Sequence, residues 1–101
     1  METFIFDVFP LSQRMAIINV NRDEEFAPVK NANGDGVEDT PDIARRMISS
    51  LAKNQIMRAG FVLKGDLDSD LCEISPLTSY CGEGLYELKK DNRELHSPFC
   101  I

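Results

Sequence analysis

The residue in this sequence that could most readily take part in chemistry is Lys30. This residue follows the apolar stretch FAPV and precedes a loop rich in turn-forming residues. A lysine held at the start of such a loop can extend its ammonium group into a cleft and neutralise the charge of a phosphate. Spacing alone does not separate Lys30 from an ordinary surface lysine, so a phosphate-binding role needs further support from the sequence.

The loop at positions 31–42 (NANGDGVEDTPD) has the spacing of a calcium-binding loop. Oxygen-bearing residues occupy its first, third, fifth, ninth and twelfth positions, and Gly36 is sixth, where a sharp turn is needed. Asn31 replaces the usual first acid, and Asp42 replaces the usual bidentate glutamate. No helix is predicted before the loop. A polar loop that leads into a helix is therefore the favoured interpretation, with calcium binding as an alternative.

Three other groups carry weaker signals. Asp66, Asp68 and Asp70 form an acidic cluster without the glycine and distal glutamate of a metal loop, which favours a solvated surface loop. His96, the only histidine, has no nucleophile and acid set beside it, so we predict a surface or structural role. The GEG at 82–84 is too short to cradle a phosphate and is predicted to be a turn.

One long helix must position the Lys30 loop. Thr40 is a predicted N-cap, Pro41 suits the first helical position, and Gly60 is a predicted stop. Eight apolar residues between them recur at helical spacing and predict one buried stripe. They are Ile43, Ala44, Met47, Ile48, Leu51, Ala52, Ile56 and Met57.

The remaining elements are predicted to be short. Alternation at 4–7 predicts a strand, and a helical turn capped by Asp7 follows at 8–13. The apolar, β-branched segment 15–20 predicts a buried strand, and a further strand is expected at 61–63. Residues 65–70 form a predicted loop, and the extended segment after it is broken by Pro76. This mixture of strands and a helix predicts an α/β fold.

Composition excludes several classes of function. The 101 residues carry a formal net charge of −6, which disfavours nucleic acids and anionic membranes as partners. The three cysteines form no CxxC pair, so neither a zinc site nor a disulfide framework is predicted. Because no secretory signal or membrane-spanning run is visible either, we expect a reduced, cytoplasmic protein.

Four blocks in order resemble one enzyme family. Residues 1–9 (METFIFDVF) resemble ExFxFDxF, 23–31 (DEEFAPVKN) resemble EFSPLKN, and 71–85 (LCEISPLTSYCGEGL) resemble CEISPLxSYxGEGL. Residues 39–45 (DTPDIAR) resemble the segment that follows the KN loop. The chain is thus similar to eukaryotic UDP-N-acetylhexosamine pyrophosphorylases over nearly its whole length.

The resemblance implies a uridylyltransferase that makes UDP-N-acetylglucosamine and pyrophosphate from UTP and N-acetylglucosamine 1-phosphate, with Mg²⁺ as cofactor. Lys30 matches the family's phosphate-contacting lysine. Phe4 and Phe6 match aromatic residues of the sugar pocket, and Asn31 is implied to bind substrate or hold the loop beside Lys30. Residues 1–63 would end a Rossmann-like, mixed-sheet nucleotidyltransferase domain, and 64–101 would belong to a small C-terminal domain.

The departures from the family pattern define the alternatives. The glycine-rich nucleotide loop and the metal-binding aspartate have no match here, and the chain is shorter than many relatives between 61 and 71. We therefore expect a fragment truncated at both ends, inactive alone, with the Mg²⁺ ligands in the absent part. A non-catalytic chain, either the remnant of an enzyme or a regulatory or interaction module, is an alternative. Oligomeric state, sugar preference and the roles of Glu73, Tyr80 and Glu83 stay open.

Overall fold

The computed structural model describes residues 4–88 and 94–101 as a mixed α/β arrangement. Its helices and a parallel pair of strands confirm the predicted α/β class. The elements in chain order are a 3₁₀-helix (Ile5–Leu11), α1 (Arg22–Glu25), α2 (Pro41–Arg58), β1 (Val62–Lys64), a second 3₁₀-helix (Leu85–Leu88) and β2 (Glu94–His96). None of the helices in these two ranges is long and apolar enough to cross a membrane.

Helix α2 forms where its local signals predict. The Thr40 hydroxyl accepts a hydrogen bond from the Ile43 N–H at 3.3 Å, and Pro41 occupies the first helical position. At the other end Gly60 has a φ of +87°, and its N–H donates to the Met57 carbonyl at 2.9 Å. Such a left-handed glycine ends many helices by satisfying their last carbonyls. The predicted N-cap and stop are both confirmed.

The buried face of α2 is narrower than the predicted stripe. Ala44, Ala52 and Ile56 are buried, whereas Ile48 is 57% exposed, so the prediction of one fully buried stripe is wrong. Ser49, which is not one of the eight apolar residues of the stripe, is buried. Ile48 lines an open apolar groove between α2 and the segments 71–73 and 98–100, so it stays exposed although it belongs to the apolar stripe.

The two strands pair in parallel, with Val62 opposite Glu94 and Lys64 opposite His96. The Lys64 ammonium lies 2.7 Å from the Glu94 carboxylate, and the pairing continues in the Ser97 N–H, which donates to the Lys64 carbonyl at 2.8 Å. Strand β1 confirms the strand predicted at 61–63, shifted by one residue. Within the described ranges the sheet consists of this parallel pair, and the Rossmann-like, mixed sheet of a nucleotidyltransferase domain stays a prediction from the resemblance.

The loop after β1 is fastened to α2 by one lysine. The Lys53 ammonium donates to the backbone carbonyls of Leu67 (2.7 Å) and Asp70 (2.6 Å). Because these two carbonyls converge on a single cation, the loop is held against the helix. Cys72, two residues after Asp70, is buried, and its N–H donates to the Ser49 hydroxyl of α2.

Two strand predictions near the N-terminus are wrong. Residues 4–7 enter a 3₁₀-helix rather than a strand, and Asp7 lies inside this helix instead of before it. The apolar segment 15–20 forms neither helix nor strand, and Ile17 is 91% exposed. A strand needs a neighbour for its backbone groups, and no described strand lies beside this segment. The radius of gyration, 17.9 Å, accordingly exceeds the roughly 13 Å of a compact domain of this length.

Candidate functional site

Lys30 lies at a junction closed by Asp39. The N–H groups of Lys30 and Asn31 both donate to the Asp39 carbonyl oxygen, at 2.8 and 3.1 Å. The Lys30 ammonium lies 3.4 Å from the Asp39 carboxylate. The chain thus leaves this point at Lys30 and returns to it at Asp39, so the loop between them starts and ends at one place. Sequence reasoning treated Asp39 only as a possible calcium ligand and missed this pairing.

The structure brings Asn31 into the same junction. Its side-chain amide donates to the Glu38 carbonyl at 2.9 Å, inside the loop. This bond holds the loop beside Lys30, which is one of the two roles that the family resemblance implied for Asn31. Direct contact of Asn31 with a substrate stays a prediction.

Helix α1 fixes the position of the chain segment that leads to Lys30. The Asn21 side chain caps this single-turn helix by accepting from the Asp23 N–H at 3.2 Å. The Arg58 guanidinium, from the last turn of α2, lies 3.0 Å from the Glu24 carboxylate. The segment that leads to Lys30 is therefore tied to both ends of α2, through Arg58 at the C-terminal end and through Asp39 just before the N-terminal end.

The N-terminus of α2 cannot serve as a ready phosphate site. Free N–H groups in a first helical turn bind anions in many proteins. Here Pro41 has no N–H, the Asp42 N–H donates to the Asn33 side chain at 3.1 Å, and the Ile43 N–H donates to Thr40. The available donors of the first turn are therefore satisfied internally, and a phosphate-binding role for Lys30 stays a prediction from the family resemblance.

The calcium interpretation of the same loop finds no support in its geometry. Gly36 does adopt a positive φ of 70°, as a sharp turn requires. However, the Asn33 oxygen accepts from the α2 backbone, and the Asp39 carboxylate is paired with Lys30. Among the residues that the structure describes, no three or more His, Cys, Asp or Glu side chains are arranged to hold a metal ion.

Phe4 and Phe6 do not share a strand face. Their backbone leads into a 3₁₀-helix with three residues per turn, so side chains two positions apart diverge. The Phe6 ring packs edge-to-face on Phe9, with centroids 5.6 Å apart, and the Phe4 N–H donates to Asp7 at 3.0 Å. The strand predicted at 4–7 would have placed both rings on one face, and the 3₁₀-helix does not. A sugar-binding role for these two residues stays a prediction from the resemblance.

The chain also carries an apolar groove of about 780 Å³ between α2 and the segments 71–73 and 98–100. Its lining includes Ala44, Ile48, Leu71 and Phe99, but none of the residues predicted to bind substrate. Size alone does not make this groove a site for charged phosphates, because its lining is mainly apolar. We therefore keep Lys30 as the candidate for phosphate chemistry.

The turn predicted at 82–84 is confirmed and is closed on the Glu83 side chain. The Glu83 carboxylate accepts hydrogen bonds from the backbone N–H groups of Tyr80 (2.8 Å) and Cys81 (2.6 Å). Ser79 adds a hydroxyl donor at 3.2 Å. These donors stabilise the charged form, and they lower the pKa of Glu83 from 4.5 to about 2, with the Tyr80 amide the largest cause. Glu83 therefore shapes its own loop.

The acidic cluster and the histidine lie at the surface, as predicted. Asp66 accepts from the Ser69 hydroxyl and from the N–H groups of Ser69 and Asp68, which lower its pKa. Asp70 accepts from the Ser97 hydroxyl at 2.7 Å and so links the loop to the end of β2. His96 is exposed on β2.

The chain is similar in sequence to known proteins that share one family name. No protein-family model matches the chain. It is 42% identical over 94 residues to the probable UDP-N-acetylglucosamine pyrophosphorylase of Dictyostelium discoideum, covering 90% of this chain and 18% of that protein. It is 43% identical over 100 residues to UDP-N-acetylglucosamine diphosphorylase 2 of Arabidopsis thaliana, covering 97% of this chain and 20% of that protein.

A human relative extends the comparison to the whole chain. The UDP-N-acetylhexosamine pyrophosphorylase-like protein 1 of Homo sapiens is 37% identical over 117 residues, covering 100% of this chain and 22% of that protein. Since the alignment is longer than the 101 residues here, that relative carries additional residues within the matched region. Their predicted place, between 61 and 71, stays a prediction.

The resemblance inferred from the four sequence blocks is confirmed by these relatives. The chain belongs to the UDP-N-acetylhexosamine pyrophosphorylase family and matches one segment of its members. It spans about a fifth of the length of the curated relatives that it matches.

Proposed function

We propose that this chain supplies part of a uridylyltransferase that makes UDP-N-acetylglucosamine from UTP and N-acetylglucosamine 1-phosphate. The names of its relatives support this activity, and the closed junction of Lys30 and Asp39 is the observation that supports a specific role. In this proposal residues 1–63 belong to a nucleotidyltransferase domain and residues 64–101 to a smaller C-terminal domain. The isolated chain is expected to be inactive.

In the proposed reaction, a phosphate oxygen of the sugar substrate attacks the α-phosphorus of UTP. A new phosphorus–oxygen bond forms, and the bond to the bridging oxygen of the departing pyrophosphate breaks. Negative charge on the phosphate oxygens must be stabilised as this happens, and little covalent work falls to the protein. The Lys30 ammonium would supply a fixed positive charge for this purpose.

The proposed cofactor, Mg²⁺, supplies charge neutralisation to the triphosphate when it is bound. It prefers oxygen ligands from carboxylates and phosphates. Among the residues at 4–88 and 94–101, no three or more His, Cys, Asp or Glu side chains come together to hold a metal ion, and the family resemblance implies ligands in a part of the enzyme that has no match here. No step that involves these residues is therefore assigned to the metal, and its protein ligands would have to lie outside the described part of this chain.

A chimera tests the proposal with this chain's own residues. The matched segment of Arabidopsis UDP-N-acetylglucosamine diphosphorylase 2 would be replaced by this chain, and pyrophosphate release from UTP would be measured. We expect Lys30→Ala to lower kcat about 100-fold, the cost of removing one group that stabilises transition-state charge. Lys64→Ala is the matched control, because Lys64 is also an exposed lysine in an ion pair.

Two results would count against the proposal. Unchanged kinetics in the Lys30→Ala chimera would remove the assigned role of Lys30. An equal loss in the Lys64→Ala control would show that the chimera responds to any change of surface charge, and it would remove the support for a specific site.

A further inference from the structure

We propose that Asp39 is the positioning residue for Lys30, holding its ammonium group where it meets the substrate phosphates. This inference rests on the proposed function, since it assigns to Asp39 an effect that acts through Lys30. Asp39 would not touch the substrate. It would restrict where the lysine side chain points.

Two independent contacts carry the proposal. The Asp39 carbonyl accepts the N–H groups of Lys30 and Asn31, which fixes the backbone from which the lysine side chain departs. The Asp39 carboxylate lies 3.4 Å from the Lys30 ammonium, which restrains the far end of the same side chain. One residue therefore holds both ends of Lys30. No other residue in the described ranges forms an ion pair with this lysine.

The backbone of Asp39 explains why it can make both contacts. Its φ is +53°, in the left-handed region, where aspartate and asparagine are several-fold enriched among residues other than glycine. Thr40, the N-cap of α2, follows directly. The Asp39 carbonyl is thus fixed relative to the start of an 18-residue helix. Because the Lys30 N–H donates to this carbonyl, the Lys30 backbone is fixed relative to the same helix.

The exposure of Lys30 shows why it would need such a restraint. The side chain of Lys30 is 64% exposed, and that of Asp39 only 31%. An exposed lysine has many accessible rotamers, and reactions that depend on positioning lose rate when a charged group is misplaced by even about 1 Å. The Asp39 carboxylate is the less exposed member of the pair, and its backbone is fixed at the start of α2, so it is suited to define the geometry.

Two substitutions at Asp39 separate its charge from its backbone. Asp39→Asn removes the charge, and Asp39→Gly removes the side chain, and both residues tolerate a positive φ and keep the carbonyl. In the chimera we expect each variant to lower kcat about tenfold, with KM for UTP changed less than about twofold. The thermal midpoint should stay unchanged. Asp35→Asn is the matched control, an exposed aspartate in the same loop.

A double-mutant cycle distinguishes positioning from a structural role. If Asp39 acts only through Lys30, then Asp39→Asn causes no further loss of kcat in the Lys30→Ala background. A fully additive loss would overturn the inference. If Lys30→Ala lowers kcat but Asp39→Asn does not, the inference fails while the proposed function stands. If Lys30→Ala itself has no effect, the proposed function of Lys30 fails.

A measurement on the full 101-residue chain tests the pairing directly and does not need an active chimera. Mass spectrometry would follow acylation of lysine amines by a small reagent, with the rate at Lys64 as internal reference. We expect the relative rate at Lys30 to rise about twofold or more in Asp39→Asn, because the carboxylate that lies beside the amine and restricts access of the reagent is removed. An unchanged ratio would mean that the two residues are not paired and would overturn the inference.

Discussion

Ser49 and Cys72 are joined by the hydrogen bond that connects helix α2 to the segment after the aspartate-rich loop. The Cys72 N–H donates to the Ser49 hydroxyl at 2.8 Å, and both residues are buried. A serine on a buried helix face is unusual because its hydroxyl must find a partner there. Here that hydroxyl accepts a hydrogen bond from the Cys72 N–H, which lies outside regular secondary structure.

Replacing Ser49 should therefore destabilise the chain out of proportion to the size of its side chain. Ser49→Ala leaves the buried Cys72 N–H without an acceptor, which costs about 1–3 kcal/mol. The matched control is Ser50→Ala, one residue along the same helix and exposed, for which a change within about 0.5 kcal/mol is expected. Urea unfolding followed by circular dichroism measures both. Equal effects would show that the buried bond does not contribute to stability.

Two isoleucines of the predicted stripe give a second matched pair. Ile56 is fully buried, and Ile48 is 57% exposed. Ile56→Ala removes buried carbon and leaves a cavity, so we expect a loss of about 2–5 kcal/mol in the free energy of unfolding. The same substitution at Ile48 should cost less than about 1 kcal/mol. If Ile48→Ala were the more damaging change, the helix would present a different face to the core.

The contrast between these isoleucines shows how far sequence reasoning reaches in this chain. The ends of α2 were predicted well because Thr40, Pro41 and Gly60 act on backbone groups within a few residues. Which part of the stripe is buried depends on the distant segments that cover the helix. Periodicity shows that Ile48 and Ile56 lie on similar faces, but not which of them is covered.

The strand predicted in the N-terminal segment is wrong for a related reason. The β-branched run at 15–20 has strand propensity, but a strand forms only where a neighbouring strand accepts its hydrogen bonds. The Lys30 site was predicted in part. Resemblance pointed to Lys30 and Asn31, whereas the contact between Asp39 and Lys30 was missed because it depends on a left-handed backbone that closes a loop of ten residues.

The Glu83 turn makes a prediction about acid. Its pKa is lowered to about 2 in the folded chain, against 4.5 for an unperturbed glutamate. The folded state therefore binds the proton less readily than the unfolded state, so the stabilisation is fully present above about pH 4.5 and is lost as pH falls towards 2. Glu83→Gln should unfold at lower urea concentration than the parent chain at pH 7, and this difference should shrink steadily between pH 5 and pH 2.

The control for this experiment is Glu87→Gln, which changes an exposed acid in the neighbouring 3₁₀-helix. Asp66 and Glu94 also have lowered pKa values, so the parent chain loses stability in acid for several reasons. The difference between parent and Glu83→Gln isolates the contribution of this one carboxylate. A difference that stays constant from pH 7 to pH 2 would contradict the assignment of the backbone donors to Glu83.

Gly65 supplies a prediction about the sheet. Its φ is +108°, and a Cβ atom built there would lie 3.0 Å from the Ser97 carbonyl oxygen and closer still to the Ser97 hydroxyl. Gly65→Ala must therefore push the end of β1 away from the chain that follows β2, besides straining its own backbone.

Gly36→Ala is the matched control, because Gly36 also has a positive φ but has nothing within 4 Å of a built Cβ. Backbone strain alone should cost the control about 1 kcal/mol, and Gly65→Ala should cost clearly more because the parallel pairing is disturbed as well. Amide hydrogen exchange locates the effect: faster exchange at the Ser97 N–H, which donates to Lys64, is expected only in Gly65→Ala.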